Sequence, residues 1–144
     1  MRDLAVPGQV NAADGKASIL VVDDQPGIRQ LLCEVLQVGR WEVRAAANGR
    51  EALEEIRRSS PLLAIIDLKM PGMNGLELLQ EMRKRDFQGE AVILSAYSDT
   101  ELLLQARELG VRYWMSKPFD LDEFQEMVTR AMHELEKRSG FLPS

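Results

Sequence analysis

Five polar residues of this sequence lie at or just after the ends of short apolar runs, where buried strands would end. In chain order they are Asp23 and Asp24, Asp67, Ser95 and Lys117. Three carboxylates brought to one place would raise one another's pKa values or need a cation, and Mg²⁺ suits a site with few carboxylates and retained water. A lysine ammonium and a serine hydroxyl can both bind a phosphoryl oxygen. If the fold gathers them, the set predicts Mg²⁺-assisted phosphoryl transfer to a carboxylate.

Asp67 occupies the most constrained of these places. It follows the apolar run 62–66, and the turn-forming Met70-Pro71-Gly72 comes soon after it. A carboxylate there would be held on a rigid support at the rim of a sheet. An Asp at the end of a strand can also simply bond local amides, as it does in many turns. The other four residues therefore decide between the two interpretations.

The apolar runs alternate with stretches of helical periodicity along the chain. Strands are predicted at 18–22, 41–45, 62–66, 91–94 and 111–115, each followed by a helix, and the helices begin near residues 26, 49, 75, 99 and 120. Five strand–helix units in strict alternation predict a doubly wound α/β fold, with a parallel sheet, right-handed crossovers and helices on both faces. No glycine-rich dinucleotide fingerprint follows any strand, which argues against a Rossmann nucleotide site.

Length and composition limit the classes of protein to which this chain can belong. The 144 residues suffice for one domain, which we place at 18–138 between a flexible tail at 1–17 and a frayed end at 139–144. The net charge of −5 argues against a nucleic-acid surface. A single cysteine, Cys33, excludes an intramolecular disulfide and a cysteine-rich metal site. Without a run of membrane-spanning length or an apolar signal core, we expect a cytoplasmic monomer.

The five polar residues in their strand context resemble the signature of two-component response-regulator receiver domains, and the resemblance covers about 18–132. It implies a flavodoxin-like (βα)5 fold with strand order 2-1-3-4-5, which brings the five residues to one edge. It also implies that Asp67 accepts a phosphoryl group from a sensor histidine kinase, and that Ser95 and Lys117 hold the group. Asp24, Asp67 and the backbone carbonyl of Lys69 would bind Mg²⁺ directly and Asp23 through water, with Mn²⁺ or Ca²⁺ as substitutes. The implied role is a signalling domain rather than an enzyme, with Mg²⁺-dependent self-phosphorylation and slow self-dephosphorylation.

A further set of short matches is similar to the single-domain regulators of bacterial sporulation phosphorelays. They are Asp23-Asp24-Gln25, Gly27-Ile28-Arg29, Lys69 with Pro71-Gly72-Met73, Ala96-Tyr97 and Lys117-Pro118-Phe119-Asp120. This similarity implies that the phosphoryl group passes to a histidine phosphotransferase. We expect the docking surface to ring the site through Gln25, Pro26, Gly27, Ile28, Leu31, Lys69, Tyr97, Pro118 and Phe119. Ile28 and Leu31 could instead face the core.

Two further expectations concern aromatic side chains near the site. Trp114 falls at the aromatic switch position of the family, usually Tyr, Phe or His, and Ser95 is the other switch residue. Because an indole is larger, we expect Trp114 to rotate inward poorly and the last two helices to change little on phosphorylation. Lys69 and Tyr97 come two residues after Asp67 and Ser95, so we expect them to overhang the site and slow hydrolysis of an acyl phosphate.

Three alternatives remain open. The chain could be a receiver domain cut from a longer DNA-binding regulator or hybrid kinase, although no output domain follows the final predicted helix. It could be a pseudo-receiver that binds partners without phosphorylation, although no acidic position is missing. A haloacid-dehalogenase-like phosphatase would need a second Asp two residues after the nucleophile, and this sequence has Lys69 there.

Overall fold

The structure, a computed structural model, describes residues 17–140 and consists of alternating strands and helices. The strands are β1 (Ser18–Val22), β2 (Glu42–Ala46), β3 (Leu63–Asp67), β4 (Glu90–Ser95) and β5 (Tyr113–Ser116). The helices are α1 (Pro26–Leu36), α2 (Gly49–Arg58), α3 (Gly75–Lys84), α4 (Thr100–Glu108) and α5 (Leu121–Ser139), and a 3-10 turn at Tyr97–Asp99 precedes α4.

The strands form one parallel sheet in the order β2-β1-β3-β4-β5. The predicted doubly wound α/β fold and its 2-1-3-4-5 order are therefore confirmed. The order reverses between β1 and β3, and ligands of such sheets bind outside the carboxyl ends of the strands at that point. The register brings those ends level, since Val22 pairs with Ile66, Asp67 with Leu94, and Ser95 with Ser116.

Two apolar layers hold the sheet between the helices. Every residue of β1 and β3 is buried, and successive side chains point to opposite faces. Leu20 and Ile66 lie in the cluster that includes residues of α2, α3 and α4. Ile19 and Ile65 lie in the cluster that includes residues of α1 and α5. Because both faces of these strands are buried, their sequences are continuous apolar runs and do not alternate between apolar and polar residues.

Gly75 lets α3 begin directly against the end of β3. Its N–H donates to the carbonyl of Leu68 at 2.9 Å. A Cβ at this position would lie 2.5 Å from the carbonyl oxygen of Asp67, too close for any other residue without a shift of the backbone. Asn74 caps the same helix with its side chain and forms a reciprocal capping box with Glu77. The short β3–α3 connection is thereby fixed beside Asp67.

The described residues differ from the predicted boundaries in several places. Ala17, placed in the N-terminal tail, is buried, and its carbonyl accepts a hydrogen bond from Glu42 N at 2.9 Å. Helix α5 ends at Ser139 and is capped by Gly140 with φ 87°, so the fold extends past the predicted end at 138. β5 begins at Tyr113, and Val111 packs in the core before the strand. The predicted tail segments 1–16 and 141–144 lie outside the described residues.

None of the helices described in residues 17–140 is long and apolar enough to cross a membrane.

Candidate functional site

Three carboxylates meet at the carboxyl ends of β1 and β3. Asp23 and Asp24 follow β1 directly, and Asp67 is the last residue of β3. One carboxylate oxygen of each lies within 4.8 Å of the others. Asp23 and Asp67 are buried and Asp24 is half-buried. The topology thus gathers the predicted acidic set at the point where the strand order reverses.

Lys117 supplies the positive charge of this cluster. Its ammonium lies 3.3 Å from Asp67 Oδ2 and 3.9 Å from Asp23 Oδ2. Its backbone N–H donates to the carbonyl of Ser95 at 2.7 Å, which ties the loop after β5 to the end of β4. The Lys117–Pro118 peptide bond is cis. The lysine therefore reaches both buried acids from a backbone that is anchored to the neighbouring strand.

Backbone and side-chain donors fix the positions of Asp23 and Asp67. Gln25 N donates to Asp23 Oδ1 at 2.9 Å, and Lys69 N donates to Asp67 Oδ1 at 3.4 Å. Arg29 Nη1 donates to the carbonyl of Asp23 at 2.7 Å. Arg29 belongs to one of the short sequence matches, but its contact with the backbone of Asp23 depends on the direction in which α1 leaves β1, which the sequence does not specify.

Burial raises the pKa of Asp67 above its ordinary value, since desolvation disfavours the carboxylate. Lys117 opposes this shift by attraction, and the charge of Asp23 adds to it. The site therefore holds more negative charge than its lysine offsets. An additional cation would relieve that imbalance.

The donor set fits a hard divalent cation. Oxygen ligands are what Mg²⁺ prefers, and the carboxylate oxygens are close enough to share one ion after small side-chain rotations. Asp23 Oδ2 is buried and makes no hydrogen bond within residues 17–140, so it has a lone pair available. Asp23, Asp24 and Asp67 are the residues that would hold the ion. When bound, Mg²⁺ would supply positive charge for the oxygens of a phosphoryl group.

Ser95 lies at the same edge of the sheet as the acidic cluster, at the carboxyl end of β4. It ends β4, the strand that pairs with β3, and it is buried. Its Oγ makes no hydrogen bond within the described part of the chain. A buried hydroxyl usually has a partner, so this one is available to a group that enters the site.

Trp114 lies on the outside of β5, away from the acidic cluster. The residue is 37% exposed, and the Arg107 guanidinium of α4 sits 4.3 Å from the centre of its ring. The structure therefore gives the outward arrangement of the predicted switch residue. Its behaviour on phosphorylation stays a prediction.

The residues of the predicted docking surface differ in exposure. Tyr97 is 81% exposed and Leu31 is 42% exposed, so the interpretation that Leu31 faces the core is wrong. Ile28 and Phe119 are half-buried and pack against the α1 and α5 cluster. The remaining members are exposed, namely Gln25, Pro26, Gly27, Lys69 and Pro118.

Asp99 is a buried acid near the site that the sequence interpretation missed. Its Oδ2 accepts a hydrogen bond from Ala96 N at 2.9 Å. The sequence placed Asp99 near the start of a helix, but its side chain makes no capping bond to α4. Its burial could not be foreseen, because it depends on how α4 packs.

The comparisons with known proteins agree with this geometry. A family model described as the response regulator receiver domain matches residues 19–129. Over 112 residues the chain is 39% identical to the sporulation initiation phosphotransferase F of Bacillus subtilis (strain 168), covering 78% of this chain and 90% of that protein. It is 34% identical over 114 residues to the regulatory protein AtoC of Escherichia coli (strain K12), covering 79% of this chain and 25% of that protein. A solved CheY-like receiver domain protein from Methanospirillum hungatei JF-1 matches with a TM-score of 0.79 and 28% identity, covering 85% of this chain and 98% of that one.

Proposed function

This chain belongs to the response regulator receiver family, and from that premise we propose that it accepts a phosphoryl group on Asp67 from a sensor histidine kinase and relays it to a histidine phosphotransferase. One observation carries the proposal. The carboxylate of Asp67 stands within an acidic cluster and 3.3 Å from the Lys117 ammonium. This arrangement supports the proposal, because phosphoryl transfer to a carboxylate needs a nucleophile, a cation and a charge for the phosphoryl oxygens.

The acceptor step requires an ionised Asp67. Burial raises the pKa of Asp67, and the attraction of the Lys117 ammonium opposes that shift and so supports the ionised form. One oxygen of Asp67 forms the new bond to phosphorus, and the bond from phosphorus to the histidine nitrogen of the donor breaks. In this proposal Lys117 and the Ser95 hydroxyl bind the oxygens of the phosphoryl group as it arrives. The imidazole leaves with the electron pair of the broken bond.

The onward step to a phosphotransferase rests on two observations. The rim of the site carries exposed side chains, with Leu31 and Tyr97 the most exposed of its large apolar members. The likeness to a protein named sporulation initiation phosphotransferase F extends over 90% of that protein's length. A helix of a partner could lay its apolar face against this rim and present a histidine to Asp67. We place the chain in the cytoplasm as a monomer, with no nucleic acid bound.

A second candidate function is that of a receiver that controls an attached effector domain. The likeness to AtoC favours it, because the match spans a quarter of that longer protein. The two candidates differ in their predictions for onward transfer, since only the relay requires phosphoryl exchange with a separate histidine protein. The phosphatase alternative gains nothing here, because Lys69 replaces the acid that it needs.

Substitution of the rim separates docking from chemistry. Leu31→Ala and Ile28→Ala should each slow phosphoryl transfer from a histidine kinase by about tenfold, as loss of a central apolar contact does in other interfaces. Labelling by acetyl phosphate should stay unchanged, because that donor needs no docking surface. Leu31→Ala is the cleaner variant, since Ile28 also packs in the core.

Leu104→Ala is the matched control, because it removes an exposed leucine (51%) from α4 on the opposite face of the sheet. It should leave both routes unchanged. An equal loss of both routes in Leu31→Ala would show that the residue is structural and that the docking surface lies elsewhere. Transfer of the labelled phosphoryl group to the histidine of a phosphotransferase tests the relay itself. If no such transfer occurs with any kinase and phosphotransferase of the host cell, the attached-effector candidate is favoured.

A further inference from the structure

The turn between β4 and α4 is closed by a single buried carboxylate. Asp99 is 3% exposed. Its Oδ2 accepts from Ala96 N at 2.9 Å, and its own backbone N–H donates to the Ala96 carbonyl at 3.0 Å. Its other oxygen, Oδ1, is buried and makes no hydrogen bond within residues 17–140.

This arrangement differs from the other side-chain caps of the fold. Asn48, Asn74 and Asp120 cap α2, α3 and α5 through hydrogen bonds that are exposed to solvent. An exposed cap satisfies a helix end without removing a charge from water. Asp99 makes no such bond to α4, and its carboxylate accepts from Ala96 N instead. Burying that carboxylate with one unpaired oxygen carries a desolvation cost. Capping alone therefore does not explain why Asp99 is buried.

The turn that Asp99 closes lies between Ser95, a proposed phosphoryl-binding residue, and Tyr97, a member of the proposed docking surface. Ala96 directly follows Ser95, whose hydroxyl is buried and unpaired within the described residues. Tyr97 directly follows Ala96 and is 81% exposed. The Thr100 hydroxyl donates to the Tyr97 carbonyl at 3.1 Å, which adds a second bond across the same turn. The two neighbours of Ala96 therefore differ, since Ser95 is buried and Tyr97 is exposed.

We propose that Asp99 is a positioning residue, which holds the Ala96 amide so that the Ser95 hydroxyl faces the phosphoryl site while Tyr97 stays on the docking rim. The inference rests on the proposed function for the roles of Ser95 and Tyr97. Asp99 itself touches neither reacting atoms nor partner. It acts through the backbone amide of Ala96. Because that turn carries both Ser95 and Tyr97, Asp99 links the chemistry of the acceptor site to docking of the partner.

The structural arm of the test uses the unphosphorylated protein. Asp99→Ala removes the acceptor, whereas Asp99→Asn keeps one oxygen for the Ala96 amide. We expect the NMR signal of the Ala96 amide to move upfield in Asp99→Ala, and the χ1 couplings of Ser95 and Tyr97 to average between rotamers. In Asp99→Asn all three should stay close to the wild-type values. Asn48→Ala, which removes the exposed cap of α2, should leave them unchanged.

The functional arm measures labelling by acetyl phosphate and transfer from a histidine kinase. Asp99→Ala should slow both by about tenfold, because a hydroxyl displaced by a fraction of an ångström loses much of its effect. Asp99→Asn should restore both rates to within about threefold of wild type on the same argument. Asn48→Ala should be labelled at the wild-type rate.

The two arms distinguish failure of this inference from failure of the proposed function. If wild type takes no label, the proposed function fails, and the NMR arm still decides whether Asp99 orders Ser95 and Tyr97. The positioning role is overturned if Asp99→Ala leaves those couplings unchanged. It is also overturned if the wild type takes label and Asp99→Ala averages the couplings but is labelled as fast as the wild type. If Asp99→Ala does not fold, Asp99→Asn decides, since loss of ordered Ser95 and Tyr97 couplings in that variant would contradict the assigned role of the retained oxygen.

Discussion

The two halves of the sheet around Asp67 are built differently. The acidic half, β1 and β3 with Asp23, Asp24 and Asp67, is buried throughout its strands. The adjustable half consists of β4 and β5 with Ser95 and Trp114. In β5, its outer strand, no residue is fully buried. Backbone amides hold Asp23 and Asp67 in place, whereas the Ser95 hydroxyl has no partner within residues 17–140.

This difference indicates a division of labour between binding and response. Carboxylates fixed on buried strands are preorganised for a cation, because little rearrangement is needed when the ion arrives. An unpaired hydroxyl and an exposed indole can change partners at low cost, because no native hydrogen bond has to be broken first. We therefore expect the acidic half to determine whether the chain is phosphorylated, and the adjustable half to determine how long the group lasts and what moves.

The largest effect should come from the acidic half. Asp24→Ala should weaken Mg²⁺ binding by about 100-fold or more, and Asp23→Ala by about tenfold, the range found when an outer-shell partner is lost. The order follows from the expectation that Asp24 binds the ion directly and Asp23 acts through water. Isothermal titration calorimetry with MgCl₂ measures both. Asp122→Ala, an exposed acid on α5, is the control, and a weaker effect of Asp24 than of Asp23 would reverse the assignment.

A smaller effect should come from Lys69 and Tyr97, the exposed side chains that we expect to overhang the site. Replacing Lys69 and Tyr97 together with Ala should shorten the half-life of the acyl phosphate severalfold, because water then has a freer line of attack. The decay of radiolabel after removal of the donor measures it. Val38→Ala, another exposed apolar position, provides the comparison. A half-life that stays the same or lengthens would refute the shielding role.

The smallest effect should come from the Arg107–Trp114 contact. A stacked guanidinium is worth about 0.5–1 kcal/mol at an exposed site, so Arg107→Ala should favour inward Trp114 by only about two- to fivefold. NOE contacts of the Trp114 indole in free and beryllofluoride-loaded protein report its position. Arg112→Ala, which removes the more distant stack on Tyr113, is the control. A Trp114 that becomes buried on loading in the unaltered chain would contradict the expected poor switch.

Much of the fold could be predicted because its determinants are local. The apolar runs of β1 and β3 are buried on both faces, so they stand out in the sequence. The convergence of Asp23, Asp24 and Asp67 followed from their places at strand ends, once the family resemblance supplied the strand order. Both predictions are confirmed by the sheet order and by the acidic cluster.

The features that escaped prediction depend on how the elements pack. Successive residues of a helix point about 100° apart, so the apolar pair Leu31 and Leu32 could not both be assigned to one face. The structure buries Leu32 and exposes Leu31. The stacking of Arg107 on Trp114 joins two elements with no shared periodicity. The burial of Asp99 likewise depends on how α4 meets the sheet.

The proposed function depends on phosphorylation of Asp67, and intact mass spectrometry tests that step most directly. Wild-type protein incubated with acetyl phosphate and Mg²⁺ should gain the mass of one phosphoryl group, and borohydride reduction of the acyl phosphate should leave homoserine at position 67. Asp67→Asn should gain nothing, while Asp122→Asn should be labelled like wild type. A base-labile phosphoryl group on Asp67→Asn, or homoserine at another position in the wild type, would contradict the account.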